Sequence, residues 1–355
     1  MDRVTRDIRE RRAGRTGVRS ALVGLLALFV GMGPAALAET FVGQPDPPES
    51  GPGSTKHPTH HAATVSGSSA HPGDYVLYEP DKPKSTSAPV VVFLHGAQLS
   101  DHRPDYEPLI GNLVKNQGYV VLYAEEGTND AANYARSARA AIRAGLTELA
   151  RPGHVHYDQT HFGIVGFSLG GMVAMRLAAD PRGDFPAPRI VVLHDPAGRQ
   201  TEAITGVALT KDALRGMAAG TRLLIIQAES SARQSNSASP DAWNNAPSGV
   251  KTSDKSWLRV PSDDHGTFPM ESKHESSTAP VDAVDWWGYW RPTEGALVQG
   301  FTGKAPSGYS AFCNATSPAC ASVHDMGTWQ DGVPVRPMLN FCDIVRADGG
   351  SDPDC

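Results

Sequence analysis

Six short apolar runs recur along the chain, at residues 90–94, 120–124, 161–167, 190–194, 223–227 and, more weakly, 257–260. Each is apolar at nearly every position rather than at alternate ones. A strand with one wet face alternates; a strand covered on both faces does not. The runs therefore predict parallel strands in the middle of a layered sheet. Segments with helical spacing lie between them. Residues 133–151 carry Ala, Ile and Leu at that spacing, residues 169–179 stop just before Pro181, and residues 210–217 begin at Thr210, a good N-cap type. Strand and helix in alternation predict an α/β fold, a mostly parallel central sheet with helices on both faces. The sequence has no internal repeat. Nor is there a long insertion between the fourth and fifth runs, so no large lid domain is expected.

This region is expected to span 73–303, and the segments around it read differently. Residues 1–38 hold seven arginines, then an apolar run from Ala21 to Val30, then Ala36-Leu37-Ala38. Basic, apolar and small-residue regions in that order predict a signal peptide. The apolar run is short for a membrane span and is followed by Gly31, Gly33 and Pro34. Export to the outside or the periplasm is expected, with no stable span after cleavage. Residues 39–72 are rich in Pro, Gly, Ser, Thr and His and read as a flexible linker. Its His57, His60, His61 and His71 read as part of a solvated tail, because no carboxylate or cysteine cluster accompanies them.

The whole chain carries a net charge of −6; residues 1–38 carry +4, so the remainder carries −10. An acidic protein of this kind does not suit nucleic acid as a partner. The four cysteines all lie late, at Cys313, Cys320, Cys342 and Cys355. An even number in an exported chain predicts two disulfides. Of the three pairings, Cys313–Cys320 with Cys342–Cys355 closes the shortest loops. A zinc site is the rival reading, and the irregular spacing speaks against it. Residues 304–355 are expected to form a disulfide-containing extension packed on the preceding domain.

The strongest chemical signal is Gly166-Phe167-Ser168-Leu169-Gly170-Gly171, where a strand meets a helix. A serine on that tight turn is lifted above the sheet edge, and a Cβ at the glycine positions would collide with strand and helix. The helix N-terminus beneath it favours developing negative charge. Ser168 is thus the candidate nucleophile. His95-Gly96-Ala97-Gln98 follows the first apolar run, so Ala97 and Leu169 are the candidate N–H donors of an oxyanion hole. A general base must come later in the chain. His265, in Ser262-Asp263-Asp264-His265-Gly266, directly follows the last run and is the first choice, ahead of His274 and His324. For the acid that orients the base, Asp195 at the end of the fourth run is preferred to Glu229 at the end of the fifth. Asp241 and Asp263 are the next to try. The aromatic group Trp286, Trp287, Tyr289 and Trp290 reads as packing before cleft lining.

With these motifs in place the chain resembles the α/β-hydrolase superfamily over about residues 73 to 300. Within it the chain looks like the chlorophyllase and dienelactone-hydrolase-like group, which neighbours the bacterial cutinase-type polyester hydrolases. The resemblance rests on Val91-Val92-Phe93-Leu94-His95-Gly96, the Ser168 motif, His194-Asp195-Pro196-Ala197-Gly198 and Asp264-His265-Gly266. The chlorophyllase branch takes its acid from an Asp-Pro segment, which implies Asp195; the cutinase branch takes it from the later loop, which implies Glu229. The resemblance implies a monomeric carboxylic ester hydrolase that works through an acyl-enzyme without a cofactor, on esters that include lipid or polyester. A peptidase or acyltransferase with the same triad, and a catalytically silent hydrolase fold that binds a ligand, are the rivals.

Overall fold

Eight strands form one sheet in the order β1-β2-β4-β3-β5-β6-β7-β8. The computed structural model describes residues 41–355 apart from 57–60, 98–102, 128–132, 199–200, 203–204, 234–236, 279, 315–319 and 353–354. The signal peptide expected over residues 1–38 lies outside the described residues, as do His57, His60 and Gln98. The strands are β1 (Ala62–Gly67), β2 (Tyr75–Asp81), β3 (Ser87–Leu94), β4 (Val120–Ala124), β5 (His156–Phe167), β6 (Ile190–His194), β7 (Arg222–Ala228) and β8 (Lys255–Val260). From β4 to β8 all neighbours are parallel; β1 and β2 are joined antiparallel at one edge. All six apolar runs are strands of this sheet.

Alternate strand residues feed two separate cores. Val90, Val92 and Leu94 of β3 face α2 (Tyr134–Leu149) and α3 (Leu169–Ala179), while Val91 and Phe93 face α1 (Arg103–Gln117) and α4 (Arg291–Thr302). Both faces are dry, and each buried Val, Leu or Ile contributes about 2 kcal/mol. This is the α/β architecture expected, with helices on both faces and no large lid among the described residues. α3 has the bounds read from the sequence. The helix expected over 210–217 is shorter, Lys211–Leu214, and the Thr210 hydroxyl caps it by accepting from Ala213 N at 3.2 Å.

The segment expected to be a linker is partly built into the fold. β1 pairs along its whole length with β2, and Gly53 N donates to the buried Glu294 carboxylate at 3.0 Å. Val42 and Thr267 exchange two hydrogen bonds of 2.9 Å. Sequence composition is blind to the last two contacts, whose partners lie 241 and 225 residues away.

The last fifty residues enter both cores rather than forming a layer of their own. Phe341, Cys342 and Ile344 join the core under α3, and Met326, Trp329 and Met338 join the other. Leu339 and Arg259 exchange backbone hydrogen bonds of 2.8 and 3.0 Å. That bridge covers part of the β8 edge, which otherwise offers unpaired backbone groups. Tyr289 and Trp290 are buried in a π-helical turn, Val284–Trp290, that runs into α4. The cysteines pair as Cys313–Cys320 and Cys342–Cys355. Thiol-blocked mass spectrometry of the unreduced protein is expected to find no free thiol. Opening Cys342–Cys355 should cost on the order of 3 kcal/mol, the constraint of a loop of about that length. Four free thiols in the native protein would contradict both bonds.

Candidate active site

Strand order reverses between β3 and β5: the chain leaves β3 towards β4 on one side and later returns to β5 on the other. A crevice forms at the carboxyl ends of strands at such a point. Ser168 stands there, immediately after β5 and as the residue that opens α3, with φ 53° and ψ −118°. A left-handed backbone at a residue with a Cβ costs about 1–3 kcal/mol and persists only where its surroundings enforce it. Here the Ser168 N–H donates to His194 O at 2.9 Å, and its carbonyl accepts from Gly171 N and Ala197 N, both at 3.0 Å. The neighbouring glycines are needed for close approach. A Cβ at Gly166 would lie 2.3 Å from Gly170 O, and one at Gly170 would lie 2.3 Å from His95 O.

His274 Nε2 is 2.8 Å from Ser168 Oγ, and His274 Nδ1 is 2.5 Å from Asp195 Oδ2. The carboxylate only accepts, so Nδ1 carries the proton and Nε2 is the acceptor for the serine hydroxyl. Asp195 is 1 % exposed, and it follows β6 with φ 45°. It also accepts from Ala228 N at 3.2 Å, the last residue of β7, and from Ser231 Oγ at 2.5 Å, in the helical turn that follows. The carboxylate is therefore held from the end of β7 besides the histidine. Burial disfavours the His274 cation, but the hydrogen bond and charge of Asp195, with Glu275, outweigh it and raise the pKa above that of free imidazole.

The structure brings Ser168 and Asp195 together through His274, and it does not bring His265 to them. His265 is turned away: its Nε2 bonds to Asp331 Oδ2 at 2.7 Å on the surface. After β8 the chain runs out through His265 and folds back, with Asp263 and Met270 pairing at 2.8 and 2.9 Å. The returning leg carries His274. Buried Ser272 fixes that leg, its hydroxyl accepting from Glu229 N at 3.2 Å and its N–H donating to Ser262 Oγ at 3.0 Å. His324 is elsewhere, on Met338 O at 2.6 Å.

Glu229 does not reach the imidazole. It accepts from Ser262 N at 2.9 Å and pairs with Arg336 at 3.0 Å, so it ties down the start of the loop that presents His274. The remaining expected groups are the oxyanion donors. Leu169 is the first residue of α3, whose opening N–H groups have no partner within the helix. Ala97 follows Gly96, and a Cβ on Gly96 would sit 3.2 Å from Ser168 Cβ. Gly96 N is spent on Tyr106 Oη at 3.3 Å, so the expected loop donor remains the next N–H, that of Ala97. Among the described residues no group of three or more His, Cys, Asp or Glu side chains converges as a metal site. Nor is any described helix long and apolar enough to cross a membrane.

No family model matches the sequence, and no curated protein does. Solved structures do match by shape. One is carboxyl esterase 2 from the mycorrhizal fungus Tuber melanosporum, 20% identical, with 58% of this chain and 78% of that one covered and a TM-score of 0.40. Another is a thermostable esterase from Pseudomonas putida, 16% identical over 57% and 73%, with a TM-score of 0.42. The architecture is read from the chain itself. Its strand order, its antiparallel first edge and the Ser168 turn between β5 and α3 make this an α/β-hydrolase fold.

Proposed function

We propose that the chain is an exported serine hydrolase that cleaves carboxylic esters through an acyl-enzyme. The observation that carries this reading is the unbroken chain Ser168 Oγ to His274 Nε2 to Asp195 Oδ2, at 2.8 and 2.5 Å, on a strained turn at a helix N-terminus. Nucleophile and base are within hydrogen-bond reach and the base is oriented by a third group, which is the arrangement covalent acyl transfer requires.

Ser168 Oγ attacks the ester carbonyl carbon while His274 Nε2 takes the hydroxyl proton. The carbonyl oxygen becomes an oxyanion, held by the N–H groups of Ala97 and Leu169. Asp195 stabilises the imidazolium without taking its proton. When the intermediate collapses, His274 gives that proton to the departing alkoxide and leaves the acyl group on Ser168. Water then attacks the acyl carbon, His274 takes a proton from it, and the second collapse returns the proton to Ser168 and frees the acid. Each oxyanion donor contributes on the order of a hundredfold or more in rate.

A fluorophosphonate should label the wild type at Ser168 and leave Ser168→Ala unlabelled. Labelled protein should lose turnover on a panel of esters running from short acyl to lipid and polyester. The base works only as neutral imidazole, so kcat should rise with pH through a value above that of free imidazole, as the raised His274 pKa requires. An unlabelled Ser168 in folded protein would point to the silent binding fold instead. Transfer of the acyl group to an added alcohol or amine in preference to water would point to an acyltransferase.

A further inference from the structure

A second buried titratable cluster lies directly behind the Ala97 segment, and the triad does not use it. It comprises His95 at the end of β3 with Glu125 and Glu126 at the end of β4. His95 is 1 % exposed and Glu126 is fully buried. Among the described residues neither Glu126 carboxyl oxygen has a hydrogen-bond partner. A buried carboxyl with no partner is costly as an anion and calls for an explanation.

The His95 ring shows what the cluster acts on. Its Nδ1 is 2.7 Å from Gly96 O and must donate to it, since a carbonyl only accepts. That carbonyl belongs to the same planar peptide as the Ala97 N–H, so whatever orients the one orients the other. The other ring nitrogen, Nε2, is 3.2 Å from Glu125 Oε1 and 3.2 Å from Glu126 N. The first contact needs a proton on Nε2 and the second needs its lone pair. One nitrogen cannot satisfy both, so protonated and neutral His95 make different bonds. The protonated ring donates to Glu125 and grips Gly96 O with a charge-assisted bond; the neutral ring accepts from Glu126 N and grips it more weakly.

We propose that Glu126 and His95 are positioning residues for the Ala97 oxyanion donor, and that proton loss from this pair sets the upper pH limit of the reaction. The proposal rests on the hydrolase reading above. Among the described residues the charged groups facing Glu126 are His95 and Glu125; Tyr106 of α1 and Tyr123 of β4 close the site around the ring without charge. Burial pushes the Glu126 carboxyl up to about 8, with the His95 cation pulling it down and Glu125 pushing it up. Burial disfavours the His95 cation, but the Glu125 bond and the two carboxyl charges raise it above its ordinary value. The two groups titrate as one system. As pH rises, one proton leaves for solvent and the cluster gains one unit of negative charge. That charge lies behind the site where the oxyanion forms, and it opposes the same developing charge that Ala97 is there to stabilise.

The test is kcat against pH from about 6 to 10 on a soluble ester, with the Ser168→Ala rate subtracted and fluorophosphonate labelling run at each pH. Wild type should rise through the His274 limb and fall on the alkaline side. Glu126→Gln should lose that fall or move it up by at least about one pH unit, so its alkaline-to-neutral ratio of kcat exceeds the wild-type ratio by roughly tenfold. A purely structural role for Glu126 would scale kcat at every pH and leave the limb in place, which overturns the proposal. Should the glutamine variant not fold, the wild type decides. The His95 Cε1–H signal in NMR should shift across the interval in which kcat falls, and a signal flat through that interval also overturns it. Failure of labelling at Ser168 at every pH would be a different result, since it removes the hydrolase reading itself.

Discussion

Replacing His274 by alanine should remove on the order of a millionfold from kcat, and replacing His265 by alanine should change it by no more than about twofold. The first magnitude is what loss of either nucleophile or base costs in a serine hydrolase, because the two act as one unit. Without the imidazole, Ser168 keeps its proton at the moment of attack and the departing alkoxide has no proton donor. The second magnitude follows from what His265 touches. Its ring is on the surface with Asp331, and an exposed substitution of this kind changes energies by about 0.5 kcal/mol. His274→Ala leaves the Asp195 carboxylate without its ring partner, yet Ser231 Oγ and Ala228 N still bond to it, so the protein should remain folded. Steady-state kinetics on an activated ester, with circular dichroism as the check on folding, measure both. A His265 variant that is dead beside a His274 variant that is active would reverse the geometry on which the proposed function stands.

His265 and His274 differ in what a sequence carries about them. The proposed nucleophile is legible because everything that defines its turn is local. The strand, the glycines and the helix start lie within a dozen residues of Ser168, and each glycine is explained by a close approach within or beside that turn. Asp195 is nearly as local, at the end of a buried strand and before a proline. The base is not. It depends on an excursion whose legs pair at Asp263 and Met270 and whose returning leg is fixed by Ser272 against Glu229, a contact 43 residues apart in the chain. Position directly after a strand favours His265, whereas the turn of the backbone after it carries His274 to Ser168. The same distinction holds for the fold. Strands buried on both faces are visible as unbroken apolar runs, whereas β1 has no buried position and gains its structure only by pairing with β2. α1 is not legible for a related reason. It contains Pro108, and its polar and buried positions do not separate cleanly into faces.

Asp195→Asn should lose about ten-thousandfold in kcat, and Glu229→Gln no more than about fivefold. Asparagine nearly matches aspartate in shape, and its side-chain oxygen can still accept from Ala228 N, so the cost falls on the histidine rather than on the fold. An amide group that presents its NH2 to His274 Nδ1 forces the proton onto Nε2, the nitrogen that has to accept from Ser168. An amide that presents its oxygen preserves the tautomer but carries no charge to stabilise the imidazolium. The same replacement in a serine protease costs about ten-thousandfold, and that value is carried over as the expectation here. Glu229→Gln changes something else. It removes the charge facing Arg336, whose side chain is half exposed, so the ion pair contributes at most about 1 kcal/mol after solvent screening. The glutamine oxygen can still accept from Ser262 N, and the bond from Glu229 N to Ser272 is made by backbone and survives any side chain at that position. The His274 loop therefore keeps its anchor. The two variants should unfold at similar temperatures while differing by roughly three orders of magnitude in rate. The opposite ranking would move the acid to Glu229 and require the loop to rearrange in solution. If both variants stayed near wild type while Ser168→Ala was dead, the acid would have to be sought elsewhere, with Asp241 and Asp263 the next to try. Asp263 is already committed, its two carboxylate oxygens accepting from His265 N and Arg336 N at 3.0 and 2.7 Å, so it is free to orient neither histidine without first giving up the turn it holds.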